Sequence, residues 1–207
     1  MVEQQVRPWD VLDPRVLEVL ASLPREAFVP PAYRALAYAD LALPLGHGEM
    51  MLKPVVEGRA LQALLLQPAE DVLEVGTGSG YLTACLGRLA REVVSLEQHP
   101  DLAEGARERL AAEGLDGNVR IEVADALNYE TDRRFDAVCV AAAVDAIPAR
   151  FLQWLRPGGR LFVVQGRAPA MTAVLARNED GPARIESLFE TELPYLAGAA
   201  PVPLFQL

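Results

Sequence analysis

The chain has 207 residues, 51% of them hydrophobic and 23% charged, and 29 acidic against 19 basic residues give a formal charge of −10. Such a length suits one domain with a substantial core, and the acidic balance argues against broad binding to nucleic acid or an anionic membrane. No apolar run is long enough to span a bilayer and the polar N-terminus (Glu3, Gln4, Gln5, Arg7) is unlike a secretory signal, so a cytoplasmic location is expected.

Residues 1–58 read as an N-terminal segment of short helices and extended turns. Asp13-Pro14 is a helix start, with Asp13 as N-cap and an apolar face of Val16, Leu17, Val19 and Leu20 before Pro24 stops it. Phe28-Val29-Pro30-Pro31 reads as extended, because a residue before proline avoids the helical region. Ala32 to Tyr38 can form another short helix, and Leu41 to Gly48 reads as a loop.

From Pro54 the pattern becomes regular. An amphipathic helix carrying Val55, Val56, Ala60, Leu61, Leu64 and Leu65 is expected with proline in its first turn. The apolar run Val72 to Val75 then suits a buried parallel strand, and Tyr81 to Ala90 a helix. Further strands are expected at Glu92–Glu97, Val119–Ala124, Phe135–Val140 and Arg160–Val164, with helices at Pro100–Glu113 and Ile147–Leu155 and a turn at Pro157-Gly158-Gly159. Thr172–Arg177 and Ala183–Glu192, flanking Asn178 to Pro182, read as an antiparallel hairpin. The alternation predicts an α/β fold with a doubly wound, mostly parallel sheet, residues 59–207 forming the core of a single domain and residues 1–58 a cap. Cys85 and Cys139 lie in apolar segments and read as reduced, buried thiols, while two histidines, His47 and His99, do not suggest a metal site.

The chemistry concentrates at Asp71 to Ala90. Glycines at alternate positions, Gly76, Gly78 and Gly80, with Thr77 and Ser79 between them, join the strand to the helix. They let the backbone turn tightly and let a ligand approach, and the helix start favours an anionic group. A dinucleotide fold wants G-x-G-x-x-G, whereas this chain reads G-x-G-x-G with Glu74 two residues earlier, which resembles the S-adenosylmethionine (SAM) site of class I methyltransferases. A turn of this kind also serves strand-to-helix connections that bind nothing. In a doubly wound sheet the ligand lies beyond the carboxyl ends of the strands. There Glu97, followed by Gln98, can accept from both hydroxyls of a ribose, and Asp125, followed by Ala126, from an adenine amino group.

Over nearly its whole length the chain resembles the protein-L-isoaspartate O-methyltransferase family. The resemblance rests on Val72-Leu73-Glu74-Val75-Gly76-Thr77-Gly78-Ser79-Gly80-Tyr81, on Pro24-Arg25-Glu26-Ala27-Phe28-Val29-Pro30, Ala37-Tyr38-Ala39-Asp40 and Leu43-Pro44-Leu45-Gly46, and more weakly on Phe135-Asp136-Ala137 and Pro157-Gly158-Gly159-Arg160-Leu161. It implies a Rossmann-like fold, SAM as methyl donor, and an altered aspartyl carboxylate of a damaged protein or peptide as acceptor. Methyl transfer to a carboxylate needs no general base, since a carboxyl with a pKa of roughly 4 is already ionised at neutral pH. The family's Thr-Ile-Ser-x-Pro segment, whose serine serves the acceptor site, corresponds here to Met50-Met51-Leu52-Lys53-Pro54, so Leu52 stands where that serine is expected. The remaining candidates for the acceptor site are Gly46, His47, Gly48 and Lys53. The missing hydroxyl leaves open a SAM-dependent methyltransferase of another carboxylate or a small molecule, or a SAM-binding protein without catalysis.

Overall fold

The computed structural model describes residues 1–179 and 181–202. The N-terminal segment winds through a π-helix at Val2–Val6 and a 3-10 turn at Arg7–Trp9 before α1 (Pro14–Ser22). The Asp13 side chain caps α1 by accepting from the Arg15 N–H at 2.9 Å, and Val16, Val19 and Leu20 are its buried face. The expected extended stretch at Phe28 is not found. Phe28 takes helical angles (φ −99°, ψ −5°) and closes a 3-10 turn at Arg25–Ala27, because the proline that constrains its neighbour acts on Val29 and Pro30 instead. The expected helix over Ala32 to Tyr38 is a 3-10 helix at Pro31–Leu36.

The loop expected over Leu41 to Gly48 is also corrected. It is an antiparallel hairpin of β1 (Leu43–Gly46) and β2 (Glu49–Met51). Its tip takes three consecutive residues through positive φ, Gly46 (105°), His47 (54°) and Gly48 (82°), which two glycines make affordable. Next comes α2 (Pro54–Leu64), packed so closely on the N-terminal segment that a Cβ on Gly58 would lie 2.8 Å from Val6 Cγ1.

The rest alternates: β3 (Asp71–Val75), α3 (Tyr81–Leu89), β4 (Glu92–Glu97), α4 (Pro100–Ala112), β5 (Val119–Val123), β6 (Phe135–Val144), α5 (Ala149–Gln153) and β7 (Leu155–Arg167), then β8 (Ala170–Arg177) and β9 (Arg184–Glu190). One seven-stranded sheet results, in the order β5-β4-β3-β6-β7-β8-β9. The first five strands in that order run parallel, and β8 and β9 add an antiparallel hairpin. This is the Rossmann-like class I methyltransferase architecture with N-terminal helices. Asp180, in the expected hairpin turn, lies outside the described residues.

Two strands are longer than their apolar runs. β6 continues to Val144, and β7 absorbs the expected Pro157-Gly158-Gly159 turn. Leu155 pairs with Phe135 and Arg160 with Ala137, so the intervening residues bulge without ending the strand. Gly159 permits this, since a Cβ there would sit 2.9 Å from the Arg156 carbonyl oxygen.

Alternate strand residues feed two cores. Val72, Val93 and Cys139 pack with α1 to α4, whereas Leu73, Val75 and Val138 pack with Phe151 and Trp154 around α5. Both cysteines are free and buried. The chain winds outward from β3 to β5, then crosses to β6 beside β3, so the topological switch point lies at the carboxyl ends of β3 and β6.

Candidate functional site

A cavity enclosing about 730 Å3 of empty space, including its open mouth, lies at that switch point. The strand tips wall one side: Val75 with the glycine turn, Leu96 to Gln98 after β4, Ala124 to Ala126 after β5, and Ala141-Ala142 in β6. The cap walls the other, with Leu45, Glu49 to Leu52 and Glu57, while Leu82 and Leu196 complete the lining. Of the residues expected to hold the cofactor, Gly76, Thr77, Gly78, Ser79, Glu97, Gln98, Asp125 and Ala126 line this space.

The turn is held open by backbone geometry and by one carboxylate. Gly76, Gly78 and Gly80 have φ of 93°, 52° and 86°, and Gly80 also lies so near α4 that a Cβ would come 3.1 Å from Ala106 Cβ. Glu97 Oε2 accepts the Gly78 N–H at 2.8 Å and its Oε1 accepts the His99 N–H at 3.0 Å. The buried carboxylate therefore fixes the turn to the next strand while keeping lone pairs for ligand hydroxyls. Exposed Asp125 caps its own loop, accepting from the Leu127 N–H (2.9 Å) and Asn128 Nδ2 (2.6 Å).

Glu74 and Gly80 lie outside the lining. Glu74 is fully buried, and its Oε2 accepts from the hydroxyls of Thr83 (2.5 Å) and Ser95 (2.6 Å). Ser95 in turn bonds Thr77 Oγ1 at 2.5 Å, so the carboxyl props the glycine turn from beneath. Burial pushes it up to about 8 despite both hydroxyl donors, and Glu74 Oε1 has no partner among the described residues.

On the acceptor side Leu52 lines the cavity, beside Met50 and Met51. Gly46, His47, Gly48 and Lys53 lie outside the lining. His47 Nε2 instead lies 2.9 Å from Asp101 Oδ2, and its ring stacks on His99 with centroids 4.1 Å apart. The hairpin tip is thus pinned to the start of α4. Among the described residues, no cluster of three or more His, Cys, Asp or Glu could hold a metal ion.

Sequence reasoning did not pick out the Arg25–Glu57 pair. Both side chains are buried, and Arg25 Nη1 donates to Glu57 Oε2. Arg25 also donates from Nε to the Ala37 carbonyl (2.9 Å) and from Nη2 to the Leu52 carbonyl (2.6 Å), and its guanidinium lies 4.6 Å over the Tyr81 ring. One side chain thereby fastens the cap, the acceptor-side wall and α3 together. Burial lifts the Glu57 carboxyl to about 7 against the pull of Arg25. The signal was present in the pattern: Glu57 shares the apolar face of α2 with Ala60, Leu61 and Leu64.

The residues suit a ligand that approaches the backbone of the glycine turn: positive φ at Gly76, Gly78 and Gly80 disfavours a Cβ there, and Glu97 offers acceptors at a strand tip. Comparison with known proteins points the same way. The family model for protein-L-isoaspartate(D-aspartate) O-methyltransferase matches residues 1–195. The protein-L-isoaspartate O-methyltransferase 1 of Anaeromyxobacter sp. (strain Fw109-5) is 40% identical over 202 residues, covering 96% of this chain and 95% of that protein. The enzyme of that name from Aeropyrum pernix is 41% identical over 198 residues, 91% of this chain and 76% of the other. A Plasmodium falciparum structure assigned to this activity, in complex with S-adenosyl-L-homocysteine, superposes with a TM-score of 0.81 over 92% of this chain and 94% of that one; at 19% identity it speaks for the fold alone. Since the match runs through cap and nucleotide-binding half alike, the chain belongs to the protein-L-isoaspartate(D-aspartate) O-methyltransferase family.

Proposed function

We propose that this chain methylates the carboxylate of an altered, isoaspartyl-type residue in damaged proteins or peptides, acting as a single cytoplasmic domain. Its family makes it a SAM-dependent carboxyl methyltransferase with a protein or peptide substrate. The observation that carries the finer reading is a cavity closed between the strand tips and a cap that belongs to the same family match. In this reading Gly76, Thr77, Gly78, Ser79 and Gly80 shape the turn around the cofactor. Glu97 and Gln98 hold the ribose, Asp125 and Ala126 the adenine end, and Glu74 acts through the turn it supports.

SAM, when bound, supplies a methyl group on a positively charged sulfur. The chain's own work is positioning and exclusion of water. An acceptor carboxyl arrives ionised, so no side chain need remove a proton. Leu45, Met50, Met51, Leu52 and Leu82 give the cavity an apolar wall that strips water from an entering oxygen, and the Arg25 clamp fixes that wall through the Leu52 carbonyl.

Labelled SAM offered with paired isoaspartyl and normal aspartyl peptides tests the acceptor. Transfer confined to the isoaspartyl peptide is expected, and none to either refutes that acceptor. Leu52 on the wall favours a second reading, another carboxylate or a small molecule whose contacts are apolar. For the cofactor side, Glu97→Ala is expected to abolish calorimetric SAM binding while the fold remains; unchanged affinity would show the site is misplaced.

A further inference from the structure

Four acids line the cavity, Glu49, Glu57, Glu97 and Asp125, and three are engaged by neighbours on the strand-tip side. Both Glu97 oxygens accept backbone N–H groups. Both Asp125 oxygens serve their own loop. Glu49 faces Gln98 and His99 beyond β4. Glu57, on the cap wall with Glu49, is the one of the four that lies on α2 and reaches no strand-tip neighbour among the described residues. Its partner Arg25 lies 4.6 Å over the ring of Tyr81, the first residue of α3, so the pair sits where α2 faces α3. One Glu57 oxygen takes a bond from Arg25, and the other has no protein partner among the described residues.

A buried carboxylate with a spare acceptor on a cavity wall needs a donor there. The charge count around it leans negative. Asp40 acts on Glu57, Glu57 acts in turn on Glu74, and Arg25 is the one base in contact with Glu57 among the described residues. Burial leaves Glu57 poised between its neutral and charged forms; once ionised, it and Asp40 outnumber Arg25, and a bound cation would both correct that imbalance and hold the carboxyl in its charged form. The proposed cofactor carries such a group, an α-ammonium with three N–H donors at the end remote from its adenosine. With Glu97 and Asp125 assigned to the adenosine half and Glu49 turned towards Gln98 and His99, Glu57 is the acid left for the other half.

We propose that Glu57 receives the α-ammonium group of the methyl donor, with Arg25 as the positioning residue that holds the carboxylate in place. This rests on the methyltransferase reading above and adds a contact that neither the glycine turn nor the strand-tip acids provide. It also gives α2 a direct part in binding, so that the cap and the core close around the cofactor from opposite sides.

Calorimetry on the full chain tests it with S-adenosylhomocysteine and the analogue whose α-amino group is replaced by hydrogen. The unaltered protein is expected to favour the amino form by about 10- to 100-fold, the size of a hydrogen bond to a charged group. Equal affinity for the two ligands in the unaltered protein overturns the proposal without any mutation. In Glu57→Gln the preference is expected to collapse through loss of the amino form alone. Because that change strands a buried guanidinium, the double variant Arg25→Gln, Glu57→Gln is measured beside it, with circular dichroism to confirm folding. A folded variant that keeps the preference also overturns the assignment. Failure of S-adenosylhomocysteine itself to bind the unaltered protein would sink the methyltransferase reading together with this one, whereas binding without amino selectivity sinks this one alone.

Discussion

Glu74 shows how a residue can matter to a site it does not enter. Its carboxyl is sealed under the glycine turn and titrates near 8 in the folded protein, against a reference near 4.5. The folded state therefore holds a proton that the unfolded chain releases. The stability tied to that proton is complete below about pH 4.5 and declines as pH rises towards 8, at up to about 1.4 kcal/mol per unit. Glu57 adds a decline of the same sign that ends near 7. Glu74→Gln keeps an oxygen for the Thr83 and Ser95 hydroxyls but has nothing to titrate. Its urea midpoint is expected to fall less between pH 5 and 8 than that of the unaltered protein, and curves that stay parallel would refute the buried titration. The sequence marks Glu74 by its place before the glycines yet suggests an acid aimed at the ligand. Only the tertiary pairing with Ser95, from the neighbouring strand, turns it into a support. Glu57 is the reverse case, an acid on an apolar helix face whose purpose depends on Arg25, 32 residues away.

At the scale of elements, β3, its glycine turn and α3 are legible because strand period, glycine spacing and helix period agree within twenty residues. The hairpin of β1 and β2 is not. Pro44, Gly46 and Gly48 read as loop, and strand pairing across a bulge is invisible to local pattern. The bulge in β7 misleads in the same way, since Pro157-Gly158-Gly159 announces a turn that the sheet absorbs. The hairpin is latched where His47 meets Asp101, whose carboxyl that hydrogen bond holds below its usual range, and where His47 stacks on His99. Asp101→Ala is expected to leave the melting temperature unchanged while amide exchange at Met50 and Met51 quickens and S-adenosylhomocysteine dissociates several-fold faster. Unchanged exchange would show that the latch does not hold the hairpin. The opposite end of the cap depends on close approach rather than polar contact. With Val6, Val11 and Leu20 all within 3.3 Å of a new Cβ, Gly58→Ala is expected to lower unfolding stability by about 1–3 kcal/mol, read from denaturant midpoints.

Over the whole molecule, charge is unevenly useful. The chain carries ten more acids than bases, and four arginines cluster at the sheet's amino-terminal edge: Arg91, Arg133 and Arg156 gather on Asp71, and Arg160 pairs with Glu70. At the carboxyl-terminal edge, where the cavity opens, arginine compensates one lining acid among the described residues, Glu57 through Arg25. The cavity's described lining holds four carboxylates and no lysine, arginine or histidine. An acidic acceptor peptide approaches this mouth against the field, while one with lysine or arginine beside its altered residue is drawn in. The effect acts on encounter, so it belongs in kcat/KM at low substrate and fades once salt shortens the reach of the charges. Lysine-flanked isoaspartyl peptides are expected to exceed glutamate-flanked ones by about tenfold in kcat/KM at low ionic strength, the lower end of what focused fields achieve. The gap should narrow severalfold in half-molar salt, which distinguishes a field from a specific pocket for lysine. A preference that persists at high salt would point to a direct contact, and equal rates at low salt would show that the acids of the lining are neutralised by the cofactor before any acceptor arrives.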